Sequence, residues 1–334
     1  MKAPDGNKLA ILNALNQPGF VSGQALGEQL GISRAAVSKH INSLQVMGLD
    51  IFKVTGKGYS LNNHAGLLNQ TKIQQHFNQL TSQLKSQPVN VEVHPIIDST
   101  NSELMRRIQA KTALESGTVI VAEMQQAGRG RRGRVWQSPF GANLYYSYFW
   151  RLDDGLQAAM GVSIAVGLAV YDTIKALYDI ELELKWPNDI YLNKQKLAGV
   201  LVELDGQPQG PCQLVLGIGI NLQMPQSFSQ HIDQAWTDLS QHTQQLDKNE
   251  LVASLTYHLE HRLDQYRKSG LHTMHEQWNS LNAFAGEYVE LNTGHRSWRG
   301  ICEGIDPQGG ILIRQDGEVK SYYGGEISLR KAHL

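Results

Sequence analysis

Apolar positions in the N-terminal part of the chain repeat at helical spacing three times and then switch to a strand pattern. Leu9, Ile11, Leu12 and Leu15 share one helical face, and that run stops at Pro18-Gly19. Ser22 stands at the N-cap of a second helix that carries Leu26 and Leu30 and ends at Gly31. Ser33 caps a third, with Val37, Ile41 and Leu44 facing inward. Arg34, Ser38, Lys39, Asn42 and Ser43 fall on the opposite face of that third helix. Residues 49–54 and 58–61 then read as two short strands around Thr55-Gly56-Lys57-Gly58, a glycine hairpin with a lysine at its tip. Helix, turn, helix and hairpin in this order predict a winged helix.

Residues 66–90 are polar and glutamine-rich, with an apolar stripe of Leu67, Leu68, Ile73, Phe77, Leu80 and Leu84 that closes at Pro88. This pattern predicts a linker helix. Beyond it, strand patterns at 91–97, 118–124, 143–150, 181–186, 190–192 and 214–220 alternate with helical ones at 102–113, 156–178 and 251–269. Several strands follow one another without a helix between them, so a mixed or largely antiparallel sheet is expected. Toward the C-terminus come short strands at 288–291, 296–306, 310–314 and 319–323. Their turns are Asn292-Thr293-Gly294, Gln308-Gly309-Gly310 and Gln315-Asp316-Gly317, and a small barrel is the natural closure. The expected organisation is an α+β multidomain chain: a winged helix-turn-helix over 1–65, a linker helix over 66–88, a central mixed-sheet domain over 89–283 and a barrel over 284–334.

A length of 334 residues with 41% hydrophobic and 18% charged residues is ordinary globular composition, and it excludes a disordered or uniformly basic chain. Thirty Lys+Arg against 31 Asp+Glu give a formal charge of -1, so nucleic acid can be met only by a local patch. The head supplies one. Its Lys2, Lys8, Arg34, Lys39, Lys53 and Lys57 outnumber Asp5, Glu28 and Asp50 by three. A third helix in a major groove brings Ser33, Arg34, Ala35, Ser38, Lys39 and Asn42 to bases and phosphates, and sets Lys57 on the backbone. A winged module can also serve protein contacts, but a polar helix face flanked by positive charge is what DNA requires. Cys212 and Cys302 are far apart and in no metal-ligand spacing, and no apolar run reaches the ~18–20 residues that span a bilayer. A soluble cytoplasmic protein with no membrane partner is expected.

The densest chemistry is Gly128-Arg129-Gly130-Arg131-Arg132-Gly133-Arg134. It contains G-x-G-x-x-G, and Asp153 follows Gly133 by twenty residues, as in a dinucleotide fingerprint. The context is wrong. That fingerprint opens a helix at its third glycine, whereas Val135-Trp136-Gln137-Ser138-Pro139 leads here into another strand. Arginine forks on a glycine backbone suit a clamp for carboxylate or phosphate. A second cluster, Lys185-Trp186-Pro187-Asn188-Asp189, supplies a phosphate partner and, in Asn188 and Asp189, oxygen ligands for Mg2+. Lys196, followed by small Ala198 and Gly199, is placed to neutralise a reacting acid or phosphate. Asp98-Ser99-Thr100-Asn101 caps a helix and offers hydroxyl and amide groups to a neutral polar ligand head. His272 and His275 match no zinc motif and read as surface residues.

As a set, Asp98-Ser-Thr-Asn101, the Gln125 to Arg134 loop, Ser138-Pro-Phe-Gly-Ala-Asn-Leu144, Lys185-Trp-Pro-Asn-Asp189, Lys196-Leu-Ala-Gly199 and Gly325-Glu-Ile-Ser-Leu329 closely resemble the biotin-protein ligases. With the winged head, the chain resembles their bifunctional form, at once ligase and biotin-operon repressor. The resemblance implies a central domain like that of class II aminoacyl-tRNA synthetases and a C-terminal SH3-like barrel. It also implies ATP-dependent activation of biotin to biotinyl-5'-AMP, followed by transfer to a lysine of biotin carboxyl carrier protein. Ser99, Thr100, Asn101, Gln125, Gly128, Arg129, Gly130, Arg131, Trp136, Lys196 and Gly199 match its biotin-contacting positions. Arg129, Arg131, Lys185, Asn188, Asn221 and Trp236 match the nucleotide side, and Arg131, Lys185, Asp189 and Lys196 the catalytic group. The adenylate as corepressor, a homodimer on a palindromic operator, and Mg2+ with the nucleotide are implied with them. A catalytically silent regulator that merely senses a small acid is the alternative, disfavoured by intact Arg131, Asp189 and Lys196.

Overall fold

The computed structural model describes residues 6–15, 19–61, 66–82, 90–153, 155, 159–206, 210–229, 232–292, 296–324 and 328–331. Lys2, Asp5, Pro18, Leu84, Pro88, Thr293, Gly294, the start of the 156–178 helix and residues 325–327 of the last motif lie outside them.

The head consists of α1 (Gly6–Leu15), α2 (Gly23–Leu30), α3 (Arg34–Val46) and a hairpin of β1 (Ile51–Val54) and β2 (Gly58–Leu61). The caps form as the sequence predicts. Ser22 Oγ accepts from the Ala25 amide at 3.0 Å, and Ser33 Oγ from the Ala36 amide at 3.1 Å. Gly31 takes a left-handed φ of 65°. Arg34, Ala35, Lys39 and Asn42 are exposed on α3, Ser38 is half-buried, and Lys57 is exposed at the wing tip. Gly58 has φ +115°, and a Cβ there would lie 2.2 Å from the Val21 carbonyl oxygen, so glycine is required where β2 meets Val21.

Next, α4 (Gln70–Leu80) is the expected linker helix. It buries Ile73 and Phe77 in the same core as the central sheet, so it is packed as a wall of that domain. The sheet has seven strands in the order β3-β4-β5-β9-β8-β7-β6, and all pairs are antiparallel except β3 with β4. In chain order its members are β3 (Val91–His94), β4 (Val119–Ala122) after α5 (Thr100–Gln109), and β5 (Asn143–Leu152). After α6 (Val162–Tyr178) come β6 (Glu183–Lys185), β7 (Asp189–Leu192), β8 (Gln195–Gly206) and β9 (Cys212–Asn221). A single turn, Gln226–Ser229, precedes α7 (Lys248–Ser269) and the short α8 (His275–Ser280).

Alternation along the strands separates two faces. Tyr146, Tyr148, Leu214, Leu216 and Ile218 join the large core beneath α6 and α7, while Phe149 and Val215 meet Leu104 and Ile108 of α5 on the other side. Since α5 covers only part of that second face, the remainder is open. The sequence pattern missed β8. Gly199, Leu201 and Glu203 of β8 lie opposite Gly219, Gly217 and Val215 of β9, on the open face, where small and polar residues replace the apolar alternation that marks a strand.

The C-terminal unit is a five-stranded antiparallel sheet of β10 (Tyr288–Asn292), β11 (Ser297–Ile305), β12 (Ile311–Gln315), β13 (Glu318–Tyr322) and β14 (Ser328–Lys331), in the order β13-β12-β11-β10-β14. The last strand was not anticipated, because its pairing with β10 is long-range and leaves no local hairpin signal. Trp186 Nε1 donates to the Gly309 carbonyl at 3.0 Å, and Asn279 Oδ1 accepts from the Ile305 amide at 2.7 Å, which docks this unit on the central domain. The head is docked as well: Met47 and Leu49 share a cluster with Met124 and Phe140, and the Phe140 amide donates to the Met47 carbonyl at 3.2 Å. No described helix is long and apolar enough to cross a membrane.

Candidate active site

The open face of the sheet is the floor of a cavity of about 690 Å³. Its floor is small by composition. A Cβ on Gly217 would lie 2.3 Å from Asn101 Oδ1, and one on Gly219 would lie 2.5 Å from the Trp136 ring. A Cβ on Gly199 would be 3.2 Å from both Trp136 and Lys196. These glycines admit side chains from above, not unusual backbone angles.

One end of the cavity is neutral and polar. Ser99 caps α5, and Thr100 donates its backbone N–H to Gln125 Oε1 at 2.9 Å. Gln125 Nε2 donates to Ser138 Oγ at 3.2 Å, and Ser138 Oγ donates to the Trp136 carbonyl at 2.8 Å. Ser147, fully buried on β5, sits 2.7 Å from Thr100 Oγ1 and 2.6 Å from Asn101 Oδ1, and its single proton goes to one of them. Asp98 does not enter the cavity. Its carboxylate is gripped bidentately by Arg106, whose guanidinium holds it below the usual carboxylate range.

The other end is cationic. Arg129, Arg131, Arg132, Arg134, Lys185, Lys196 and Arg330 line the cavity, against Asp189 and Asp233. The glycine-arginine loop is a compact turn: Gly130 N–H donates to the Arg134 carbonyl at 2.7 Å, and Trp136 N–H to the Gly128 carbonyl at 2.9 Å. At its tip Arg132 and Gly133 are both left-handed, with φ 59° and 72°. A Cβ on Gly128 would lie 2.4 Å from Ser138 Oγ, so only glycine lets the loop close on Gln125 and Ser138. Arg131 Nη1 donates to Asn188 Oδ1 at 2.8 Å, and burial lowers the guanidinium's pKa.

Asp189, at the start of β7, faces both lysines, with Lys196 Nζ at 2.6 Å and Lys185 Nζ at 3.7 Å. Burial pushes the Lys185 ammonium down, partly offset by Asp189. Lys185 also donates to the Tyr191 hydroxyl at 2.9 Å, and that phenol is pushed up to about 12 by burial and by Asp189. Asn188 is held by its own amide, donating to the Val200 carbonyl at 2.6 Å. Lys196 Nζ stands 5.5 Å from the centre of the Trp136 ring, and the Trp136 indole N–H is buried with no partner among the described residues.

Trp236 lines the cavity from a loop stitched to β8, in which Lys196 N–H donates to the Ala235 carbonyl and Thr237 N–H to the Lys196 carbonyl, both at 3.0 Å. Asn221 secures the same loop, donating to the Thr237 carbonyl at 3.1 Å. Gly128 packs beneath the loop, and every other cavity residue named from the sequence lines this one space; the DNA-face residues lie on the head. Sequence reasoning missed Ser147, Glu203 and Arg330. Ser147 was visible as a lone polar residue in the apolar run of β5, whereas Glu203 and Arg330 lie on the two strands that were not anticipated.

The metal reading fits poorly as a resident cage. Asp189 is engaged by two lysines and Asn188 by Arg131, and no cluster of three or more His, Cys, Asp or Glu suited to a metal occurs among the described residues.

Residues 93–221 match the biotin/lipoate A/B protein ligase family, 7–60 an HTH domain and 284–330 the biotin protein ligase C-terminal domain. The chain is 45% identical to the bifunctional ligase/repressor BirA of Salmonella typhimurium, over 97% of this chain and 98% of that protein. It is 30% identical to that of Bacillus subtilis, over 96% and 97%. Among solved structures it is similar to biotin protein ligase from Aquifex aeolicus in complex with biotin and ATP. That likeness has a TM-score of 0.63 and 29% identity, and covers 73% of this chain and 99% of that one.

Proposed function

The chain belongs to the biotin/lipoate A/B protein ligase family, in its branch of bifunctional ligase/repressors, and on that premise we propose how its residues divide the work. The protein joins biotin to ATP and then hands biotin to a protein. In the first step a biotin carboxylate oxygen attacks the α-phosphorus, the bond to the β-phosphate bridging oxygen breaks, and pyrophosphate leaves. In the second, the neutral ε-amine of a lysine on biotin carboxyl carrier protein attacks the acyl carbon of biotinyl-5'-AMP, loses a proton, and AMP leaves.

The observation that carries this reading is a single cavity with a neutral hydrogen-bonding end and a cationic end. The neutral end, from Ser99, Thr100 and Gln125, receives the uncharged ring system of biotin. Trp136 walls this end, its ring resting on Gly199 and Gly219 of the floor. At the cationic end two anions must meet, and like charges about 4 Å apart at an effective dielectric near 20 repel by about 4 kcal/mol. Lys196, Lys185 and Arg131 offset that repulsion, and Asp189 holds the two lysines in place beforehand. Trp236 belongs to the loop, secured by Asn221 at the end of β9, that closes over the nucleotide and keeps water from the anhydride. Magnesium enters as part of the Mg·ATP substrate, carried by its phosphates, and no step here is assigned to it.

The head supplies the second activity: repression, with biotinyl-5'-AMP as corepressor and a homodimer presenting two α3 helices to a palindromic operator. Gly48, just after α3, packs against Pro139, which follows the glycine-arginine loop, and against Phe228 of the Gln226–Ser229 turn, and this contact links the head to the chain beside the ligand site. ATP, carrier protein and operator place the protein in the cytoplasm. Biotin-dependent release of pyrophosphate from ATP, with adenylate retained on the protein, is the expected result. Normal biotin binding without pyrophosphate release would leave only the small-acid sensor.

A further inference from the structure

Two side-chain contacts that anchor the glycine-arginine loop differ in charge. Arg131 meets a neutral partner, Asn188 Oδ1, whereas Arg129 Nη2 donates to the carboxylate Oε2 of Glu203 at 2.7 Å. The same Glu203 oxygen accepts from Asn101 Nδ2 at 2.9 Å, and the second hydrogen of that amide goes to the Leu201 carbonyl at 3.2 Å. Asn101 Oδ1 is in reach of Ser147 Oγ at 2.6 Å, and the amide lies flat on Gly217, where a Cβ would come within 2.3 Å of it. Both hydrogens of the Asn101 amide are therefore spent on the protein, and it is wedged against the floor.

Glu203 stands opposite Val215 on the open face of the sheet, with its side chain 22% exposed. Its one carboxylate joins three pieces that are remote in sequence: the N-terminus of α5, strand β8 and the arginine loop.

We propose that Glu203 is a positioning residue that latches the arginine loop to the biotin-binding end of α5, and that it withdraws the Arg129 guanidinium from the set that meets substrate anions. The electrostatics separate the two arginines. The charge of Arg129 is neutralised by a carboxylate in direct contact, so what this residue offers a substrate is the loop it holds and not its side-chain charge. Arg129 thus serves biotin through the loop backbone it fixes, and Arg131 serves the reacting anions through its side chain. This assignment rests on the ligase reading above.

The test uses the full chain carrying Glu203→Gln, Arg129→Gln, or both. Two quantities are read: the trypsin cleavage rate within the 128–134 loop without ligand, and the KM values for biotin and ATP in biotin-dependent pyrophosphate release. Glu203→Gln keeps an acceptor for Asn101 and removes the charge. It should raise the cleavage rate and the biotin KM by about tenfold each, with kcat and the ATP KM within about twofold. Arg129→Gln, which removes one tryptic site, should raise cleavage at the remaining arginines and the biotin KM to the same extent, and the double variant should be no worse than either single one. Additive effects, an unchanged cleavage rate, or a fall in melting temperature with unchanged KM would overturn the latch. Were the wild-type chain to release no pyrophosphate, the ligase reading would fall while the cleavage rates still decided the latch.

Discussion

Replacing Gly219 by alanine separates the fit of the site from the stability of the fold. Gly219 lies within β9 opposite Gly199 and Tyr145, and its backbone is not in the left-handed region. A Cβ there would stand 2.5, 2.7 and 2.8 Å from three atoms of the Trp136 indole. Carbon contacts sit near about 3.5 Å, so the indole must rise by about 1 Å. Trp136 belongs to the loop above the sheet, and lifting it leaves the core of Tyr146, Leu216 and Ile218 untouched. The strand itself gains: a glycine inside a strand costs about 0.5–1 kcal/mol of backbone entropy relative to alanine. The melting temperature of Gly219→Ala should therefore equal or exceed that of the wild type. A misplacement of about 1 Å at a reacting site costs up to about 100-fold, so the biotin KM should rise between tenfold and that limit. Calorimetry together with steady-state pyrophosphate release reads both quantities. An unchanged biotin KM would refute the placement of Trp136 over the biotin end, and a large fall in melting temperature would refute the claim that this glycine serves the site.

Other substitutions probe the frame that holds the site. Lys248, at the start of α7, is fully buried against Glu123 at the end of β4. Lys248→Met should cost about 3–5 kcal/mol in denaturant unfolding by leaving a buried carboxylate unpaired, and a loss below about 1 kcal/mol would contradict the pairing. Glu260 has no hydrogen-bond or ion-pair partner among the described residues, and burial raises its pKa above the ordinary 4.5. Below that ordinary value both folded and unfolded chains hold the proton, so no penalty exists. Above the raised value the native state confines a carboxylate that the unfolded chain solvates. Glu260→Gln should raise the melting temperature near about pH 8 and lose that advantage near about pH 4, and a gain independent of pH would contradict the burial argument. Arg34→Ala with Lys39→Ala on the exposed face of α3 should abolish operator shift without changing pyrophosphate release; retained shift would remove α3 from the DNA interface.

Elements with one buried face and one wet face were legible in the sequence. The caps Ser22 and Ser33 and the wing appear where the pattern predicts them, because local capping and side-chain periodicity fix them, and β5 is legible instead as an apolar run buried on both faces. Strand β8 was not legible because Lys196, Gly199, Val200 and Leu201 line the cavity and Glu203 reaches the arginine loop beside it. Lys196, Gly199 and Glu203 were chosen for what stands above them, at the expense of the strand pattern. The same cause hid Glu203, whose partners Asn101 and Arg129 are brought to it only by the fold. The neutral character of 98–101 and the cationic character of 128–134, Lys185 and Lys196 were legible motif by motif, but their division between two ends of one cavity was not. That division depends on how β7, β8 and the arginine loop converge around Asp189 and Asn188.

The most direct test of the account is a single-turnover transfer. The protein is loaded with biotin and Mg·ATP, freed of excess nucleotide, and mixed with apo carrier domain. The carrier is then followed by intact-mass spectrometry. The account predicts that one biotinyl group appears on a carrier lysine in proportion to the adenylate retained, and that Lys196→Ala forms almost none. A carrier of unchanged mass, from a protein that demonstrably holds the adenylate, would contradict it.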